Sequence, residues 1–305
     1  MGFEFHVTED QEDRRVDRLL RSSFPQIPLS AIMKAIRKGE VRLDAKKVSP
    51  DTRVKAGQFM QLPWSDKPAY QETFQPEDKS SAAKKLETIY RDENIWIINK
   101  PAGLLTQPDV KGADSVYTRI MTELEWKRTD FHPSTVQRLD RNTSGIVIAA
   151  LSGKFQRLLS GLIRERKIEK NYRAVVEGKL PLEGRIDLPL LKDRDVNIVR
   201  VDEKGQRALT LYKRIFAGGG FSCAEVRIVT GRTHQIRAHF SATGYPVLGD
   251  RKYGGTAENA KRTLLHAYKV VFPDDGRLGR LSGAAFIAPL PDDMVKYFEQ
   301  GVEKA

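Results

Sequence analysis

The sequence predicts an α+β fold: a mainly antiparallel mixed sheet with helices inserted between strands, preceded by a small α/β unit. Two observations carry this. From Leu86 onward, short apolar runs bounded by turn residues outnumber the helical patterns. Ahead of them, Ser65 to Lys85 holds Pro68, Pro76, Glu77, Asp78, Lys79, Ser80 and Ser81 but few large apolar side chains. That composition reads as a linker. The expected divisions are residues 1–65, a linker over 66–85, and a larger unit over 86–305.

Taken in order, residues 1–12 read as an extended lead-in. Val16, Leu19 and Leu20 then recur at helical spacing. Ser30 is a plausible N-cap for a second helix over Ala31 to Lys38, with Gly39 as its stop. Val41 to Asp44 reads as a strand, Asp44 to Lys47 as a turn, and Val48 to Leu62 as one or two further short strands. In the larger unit, Ile89-Tyr90 and Ile95 to Ile98 predict two strands, and Ser115 to Glu125 a helix. Ile146 to Leu151 is a continuous apolar run, the mark of a buried strand. Phe155, Leu158, Leu159, Leu162 and Ile163 follow the spacing of an amphipathic helix. Lys170 to Gly178 and Phe221 to Thr230 predict strands, with turns and hairpins over 179–220 and a hairpin tip at Gly218-Gly219-Gly220.

The 305 residues include 40% apolar ones, enough for a sizeable core, and carry a formal net charge of +12. That balance favours an anionic partner, nucleic acid or an anionic membrane surface. No apolar run approaches the roughly 18 residues of a spanning helix, and Met1 to Asp10 does not read as a signal peptide. The single cysteine, Cys223, excludes an intrachain disulfide and fits a reducing, cytoplasmic setting. It reads as a small buried hydrophobe.

Two stretches carry chemistry. In Gln137-Arg138-Leu139-Asp140-Arg141-Asn142-Thr143-Ser144-Gly145, one carboxylate sits between two arginines at the mouth of the buried strand. An ionised acid there needs a partner. Arg138, Arg141 or a basic residue from elsewhere can supply it. In Gly231-Arg232-Thr233-His234-Gln235-Ile236-Arg237, Gly231 permits a turn and Thr233 can cap a helix running through Phe240. His234 and Arg237, three apart, share a face of that helix. The five histidines show no metal-ligand spacing, and neither a phosphate-binding P-loop nor a G-x-G-x-x-G dinucleotide loop is present. No metal or cofactor is expected. A glycosidase needs two flanking carboxylates, but a single one can attack carbon as a nucleophile.

These stretches resemble the RluA family of RNA pseudouridine synthases. Residues 137–145 match its H-R-L-D-x-x-T-S-G signature except at Gln137, and Gly231 to Arg237 matches G-R-T-H-Q-I-R. The register continues through Gly244 to Gly254, Leu264 to Ala267, Asn99 to Leu104 and Lys170-Asn171-Tyr172. The resemblance implies a synthase-type catalytic domain over 86–305. It implies Asp140 as the nucleophile or base acting at the uridine sugar, Tyr172 stacked on the flipped uracil, and Arg237 paired with Asp140. Arg138 would help displace the base. Arg141, Arg232, His234 and Gln235 would join it in binding substrate. The basic N-terminal unit, with Lys34, Arg37 and Lys38, resembles the S-four-type RNA-binding domain of a small-subunit ribosomal protein. Its expected role is to grip structured RNA by its phosphates. The expected substrate is large-subunit ribosomal RNA, with transfer RNA as the alternative, and the expected state a monomer. The rival from another class is a non-catalytic RNA-binding or ribosome-assembly protein on the same fold. Gln137 is expected to be tolerated if the family histidine only positions the loop.

Overall fold

The computed structural model describes residues 2–66, 85–109, 113–126, 131–193, 196–255 and 260–300. Nearly all of the expected linker lies outside the described residues.

The N-terminal unit packs two helices, α1 (Val16–Ser23) and α2 (Leu29–Lys38), on a small sheet. Its strands are β1 (Glu4–His6), β2 (Arg42–Leu43), β3 (Lys46–Lys47) and β4 (Phe59–Gln61), in the order β1-β4-β2-β3. Val16, Leu19, Leu20, Ile32, Ile36, Val41 and Met60 form the core between helices and sheet. Each such side chain, fully buried, contributes about 1.5–3 kcal/mol. The extended lead-in contains β1, which pairs with β4, and Phe3 and Phe5 pack against the core. One expectation needs correction. The second helix starts at Leu29, with Pro28 in the capping position, because the Pro28 carbonyl already accepts from the Ala31 and Ile32 N–H groups. Ser30 therefore sits inside the first turn. The β2–β3 turn is made by Asp44 and Ala45, both at positive φ (50° and 64°), as a tight two-residue hairpin requires. The Asp44 carboxylate accepts the Phe59 N–H at 2.8 Å and so ties the turn to β4.

The larger unit is built on β5 (Glu87–Arg91), β6 (Ile95–Lys100), β7 (Ser134–Thr135), β8 (Ser144–Ala150), β9 (Glu169–Glu177) and β10 (Glu183–Asp187). A separate hairpin follows, β11 (Leu190–Asp193) with β12 (Ile198–Val201), and then β13 (Leu209–Gly218), β14 (Phe221–Ile228), β15 (Leu265–Val271) and β16 (Ala285–Ile287). The sheet order is β10-β13-β14-β9-β15-β8-β6-β5, with β7 on β8 and β16 on β15. Among the described strands every pairing is antiparallel except β8 with β15.

Every residue of β8 is buried, because helices cover both faces of the sheet there. Trp96, Ile98, Val147 and Ala149 face α3 (Val116–Glu123) and α5 (Gln235–Ala242). Ile95, Ile97, Ile146 and Ile148 face α4 (Gly153–Arg164). This two-sided burial turns an alternating strand into a continuous apolar run. The last helix, α6 (Asp292–Glu299), packs Met294 and Tyr297 beside the buried Cys223. Residues 179–220, expected as turns and hairpins, also contain the ten-residue β13. Its apolar residues are interspersed with Lys213 and Arg214, and its pairing with β14 slips between Arg214 and Phe216. A second correction concerns α5. His234, not Thr233, occupies its N-cap, in the left-handed conformation (φ 49°) and without a side-chain cap.

The two units touch directly. The Asp10 carboxylate accepts the N–H of Gly153, the first residue of α4, at 2.7 Å. Arg157, one turn on, donates to the carbonyls of Asp10 (2.9 Å) and Glu9 (3.3 Å). A carboxylate at a helix N-terminus is favoured by the dipole and the unpaired N–H groups there. A Cβ at residue 153 would lie 2.3 Å from the Asp10 carbonyl oxygen, so only glycine permits the approach. Among the described residues, no helix is long and apolar enough to cross a membrane.

Candidate active site

Asp140 sits on the turn leading into β8, and several buried groups hold that turn. Leu139 packs in the core, its N–H donating to Thr106 Oγ1 at 3.0 Å while that hydroxyl donates to the Leu139 carbonyl at 2.9 Å. Lys100, fully buried at the end of β6, donates to the carbonyls of Leu104 (2.8 Å), Pro101 (2.9 Å) and Arg141 (3.1 Å). Three carbonyls match the three N–H groups of an ammonium. Burial nevertheless pulls the Lys100 pKa down to about 7, against the charge of Asp140. Arg262 donates to the Asn142 carbonyl at 3.2 Å and pairs with Asp293 through Nε at 2.6 Å. Gly145 closes the turn at φ +107°. Its missing Cβ would lie 2.3 Å from the Ala267 carbonyl oxygen on the parallel neighbour β15.

The partner of Asp140 comes from α5. Arg237 Nη1 donates to Asp140 Oδ2 at 2.8 Å. The other side of the guanidinium is held by Asp250, Nε to Oδ2 at 2.6 Å and Nη2 to Oδ1 at 2.8 Å. Burial opposes the charge on Arg237, but the hydrogen bonds and charges of the two carboxylates outweigh it and push its pKa up. His234 brings Nε2 to 3.7 Å from the other oxygen, Asp140 Oδ1. That is too long for a hydrogen bond, so Oδ1 stays available. The Asp140 side chain is 26% exposed, against 10% for Arg237 and 1% for Asp250. Exposure therefore rises along this chain of charges toward the acid.

Asp140 opens onto a cleft also lined by Arg138, Tyr172, Ile228, His234 and Leu265. Tyr172 projects from β9. Burial and then the charge of Asp140 raise its pKa, so its hydroxyl keeps its proton at neutral pH. A flat ring beside a carboxylate, between apolar walls and under a rim of arginines, suits a nucleobase bound next to a nucleophile.

The profile of the RNA pseudouridylate synthase family matches residues 94–242, a span that includes Asp140, Tyr172 and Arg237. Ribosomal large subunit pseudouridine synthase C of Vibrio parahaemolyticus is 32% identical over 277 residues, 87% of either chain. The protein of the same name from Escherichia coli K12 is 31% identical over 287 residues, 88% of either chain. The chain belongs to the RNA pseudouridylate synthase family. Its fold is that of the solved human RNA Pseudouridylate Synthase Domain Containing 4, with a TM-score of 0.56 at 21% identity, covering 71% of this chain and 92% of that one.

The other expected site residues of the synthase divide into groups. Arg138 and Arg232 line the cleft, and Arg232 Nε donates to the Arg207 carbonyl at 3.1 Å. Arg141 neither pairs with Asp140 nor points at it: its Nε donates to the Gly103 carbonyl at 3.0 Å. Gln235 is buried, and its amide is spent on Thr230, the Arg232 N–H, Leu209 and Thr210. It braces the second motif from beneath. Lys34, Arg37 and Lys38 lie exposed on α2 of the N-terminal unit, and Lys38 pairs with Glu40 at 3.5 Å. Gln137, in place of the family histidine, donates to the Ile146 carbonyl at 3.2 Å.

Sequence reasoning did not single out Asp250, Lys100 or Arg262. Asp250 and Lys100 do lie in the matched stretches Gly244 to Gly254 and Asn99 to Leu104. A charged residue next to glycine or proline at a strand end was the available signal. Arg262 lies just outside the matched Leu264 to Ala267 and offered none.

Proposed function

We propose that this protein isomerises uridines to pseudouridine in large-subunit ribosomal RNA, with Asp140 as the reacting acid. The N1–C1′ bond of the nucleoside breaks, the uracil turns while held in the cleft, and C5 bonds to C1′. The proton on C5 leaves and N1 regains one, so the reaction is a net isomerisation with no redox step. Asp140 acts at the sugar through its free Oδ1, as nucleophile or as base. Arg237 pairs with that carboxylate and aims it. Tyr172 lies against the base. Arg138 and Arg232 meet the RNA at the rim.

The target leaves its stack to enter the cleft, at a cost of a few kcal/mol. Phosphate contacts to the basic surface offset this cost. The unit over residues 1–65 serves as the RNA grip, through Lys34, Arg37 and Lys38 on α2. The protein works as a monomer in the cytoplasm. The names of the curated relatives support the choice of ribosomal RNA.

The observation that carries the reading is the Arg237–Asp140 contact at 2.8 Å, opening onto a cleft beside Tyr172. The test is pseudouridine mapping over ribosomal and transfer RNA in cells with and without the gene, repeated with Asp140→Ala. Loss of a ribosomal site in both backgrounds supports the proposal. Full modification with Asp140→Ala overturns the role of the acid, and loss confined to transfer RNA overturns the substrate.

A further inference from the structure

Tyr253 touches both groups that face Asp140. Its buried hydroxyl lies 2.8 Å from His234 Nδ1 and accepts the Val199 N–H of β12 at 2.9 Å. Its ring face lies under the Arg237 guanidinium, 4.8 Å from centroid to carbon, and its ring meets the His234 ring edge-on at 5.6 Å. Among the described residues these two are the hydrogen-bond partners of the hydroxyl.

Proton counting then fixes the imidazole. The hydroxyl oxygen accepts from Val199, whose N–H has no proton to receive. The single O–H proton therefore goes to His234 Nδ1, which must be the unprotonated nitrogen. A neutral ring then carries its proton on Nε2, the nitrogen facing Asp140 Oδ1 at 3.7 Å. The opposite arrangement, with Nδ1–H donating, leaves the tyrosine proton without an acceptor.

We propose that Tyr253 is a positioning residue for the reaction: it locks His234 as the neutral Nε2–H tautomer and supports Arg237 from below, so that the two oxygens of Asp140 are kept distinct. Oδ2 is taken by Arg237. Oδ1 meets only a neutral N–H beyond bonding distance and stays free for the nucleoside. An imidazolium at His234 would form a second ion pair and claim Oδ1 as well. The titratable and charged groups around His234 are Asp140, Arg237, Lys252, Asp250 and Tyr253. Burial, opposed by the charge of Asp140, lowers its pKa, in keeping with a neutral ring. His234 itself sits in the left-handed region (φ 49°), unusual for a residue with a Cβ. The inference rests on the proposed role of Asp140, and it ties the β11–β12 hairpin to the acid through Val199.

The test is long-range proton–nitrogen NMR on protein with 15N-labelled histidine, with His234 assigned by its absence in His234→Gln. The expected wild-type pattern at pH 8 is Nε2–H. An Nδ1–H or imidazolium pattern at that pH overturns the inference without recourse to any variant. Tyr253→Phe keeps the ring under Arg237 and removes the hydroxyl. The tautomer should then become mixed, and single-turnover pseudouridine formation should slow at least about tenfold with RNA affinity unchanged within about twofold. If tautomer or rate stays at the wild-type value, the positioning role is wrong. If Asp140→Ala retains full activity, the parent reading fails instead, whatever the tautomer.

Discussion

Asp250 grips Arg237 by two hydrogen bonds, at 2.6 and 2.8 Å, and leaves Nη1 alone to face Asp140. The buried carboxylate thus sets the direction of the guanidinium, and the guanidinium sets the direction of the acid. Removing one partner of a buried pair strands the other, at a cost of about 3–5 kcal/mol. Asp250→Ala is expected to lose about that much stability in urea unfolding and to lower turnover at least about a hundredfold, the loss falling mainly on kcat. A variant that unfolds like the wild type and keeps its kcat would show that the clamp is idle.

Gly145 is expected to reject any side chain. Alanine there would put its Cβ 2.3 Å from the Ala267 carbonyl oxygen, at a φ of +107° that L-residues rarely adopt. Gly145→Ala should cost at least about 2 kcal/mol. It should also lower activity, because the strand shift would move Asp140. Thermal unfolding and turnover, measured together, check this. A melting temperature unchanged from the wild type contradicts the contact.

Lys100 is expected to matter through the loop and not through contact with RNA. Lys100→Met removes three hydrogen bonds to carbonyls, one of them on Arg141 beside the acid. Leaving buried acceptors unpaired costs about 1–3 kcal/mol. Stability and kcat should both fall while RNA affinity holds. A selective loss of RNA binding would assign the lysine a different role.

The stability of the fold should decline with acid in a defined window. His266, buried against Ser144 and the Ala288 carbonyl, has its pKa lowered by burial to about 4. Unfolded, it titrates near 6.5. Between those values the unfolded chain binds the extra proton, so stability is full above about pH 6.5 and is lost as pH falls toward 4. The shift corresponds to about 3 kcal/mol. Urea midpoints measured from pH 7 to pH 4.5 should fall accordingly, and His266→Asn should flatten the fall. Equal slopes in the two proteins would remove His266 as the cause.

Gln137 already makes the contact a loop-positioning residue needs, its amide donating to the Ile146 carbonyl on β8. Gln137→His is therefore expected to change turnover by less than about a hundredfold in either direction. A larger gain in a steady-state assay would mean that the family histidine does chemistry that glutamine cannot.

The strands and helices whose burial repeats in sequence were legible in advance. The apolar run after Asp140 became β8, and the i, i+3, i+4 spacing around Leu159 became α4. The partner of Asp140 was not legible from local residues. Arg138, Arg141 and a distant cation were equal candidates until the family resemblance favoured Arg237, 97 residues away. β13 was hidden because Lys213 and Arg214 interrupt its apolar positions and a bulge breaks its period. Thr233 satisfied the local rule for a cap, yet the helix begins one residue later, with His234 at the N-cap. Asp250 shows the same limit: a lone aspartate after glycine reads as a turn, and only the fold places it under a guanidinium.

Asp10 reaching over to the first turn of α4 gives the front unit a fixed point of contact on the larger one. If α2 grips the RNA as proposed, the span from there to the acid would act as a ruler, and the uridine chosen would be the one whose offset from the gripped helix matches it. Breaking the Asp10–Gly153 joint should blur which nucleotide is modified before it slows the modification.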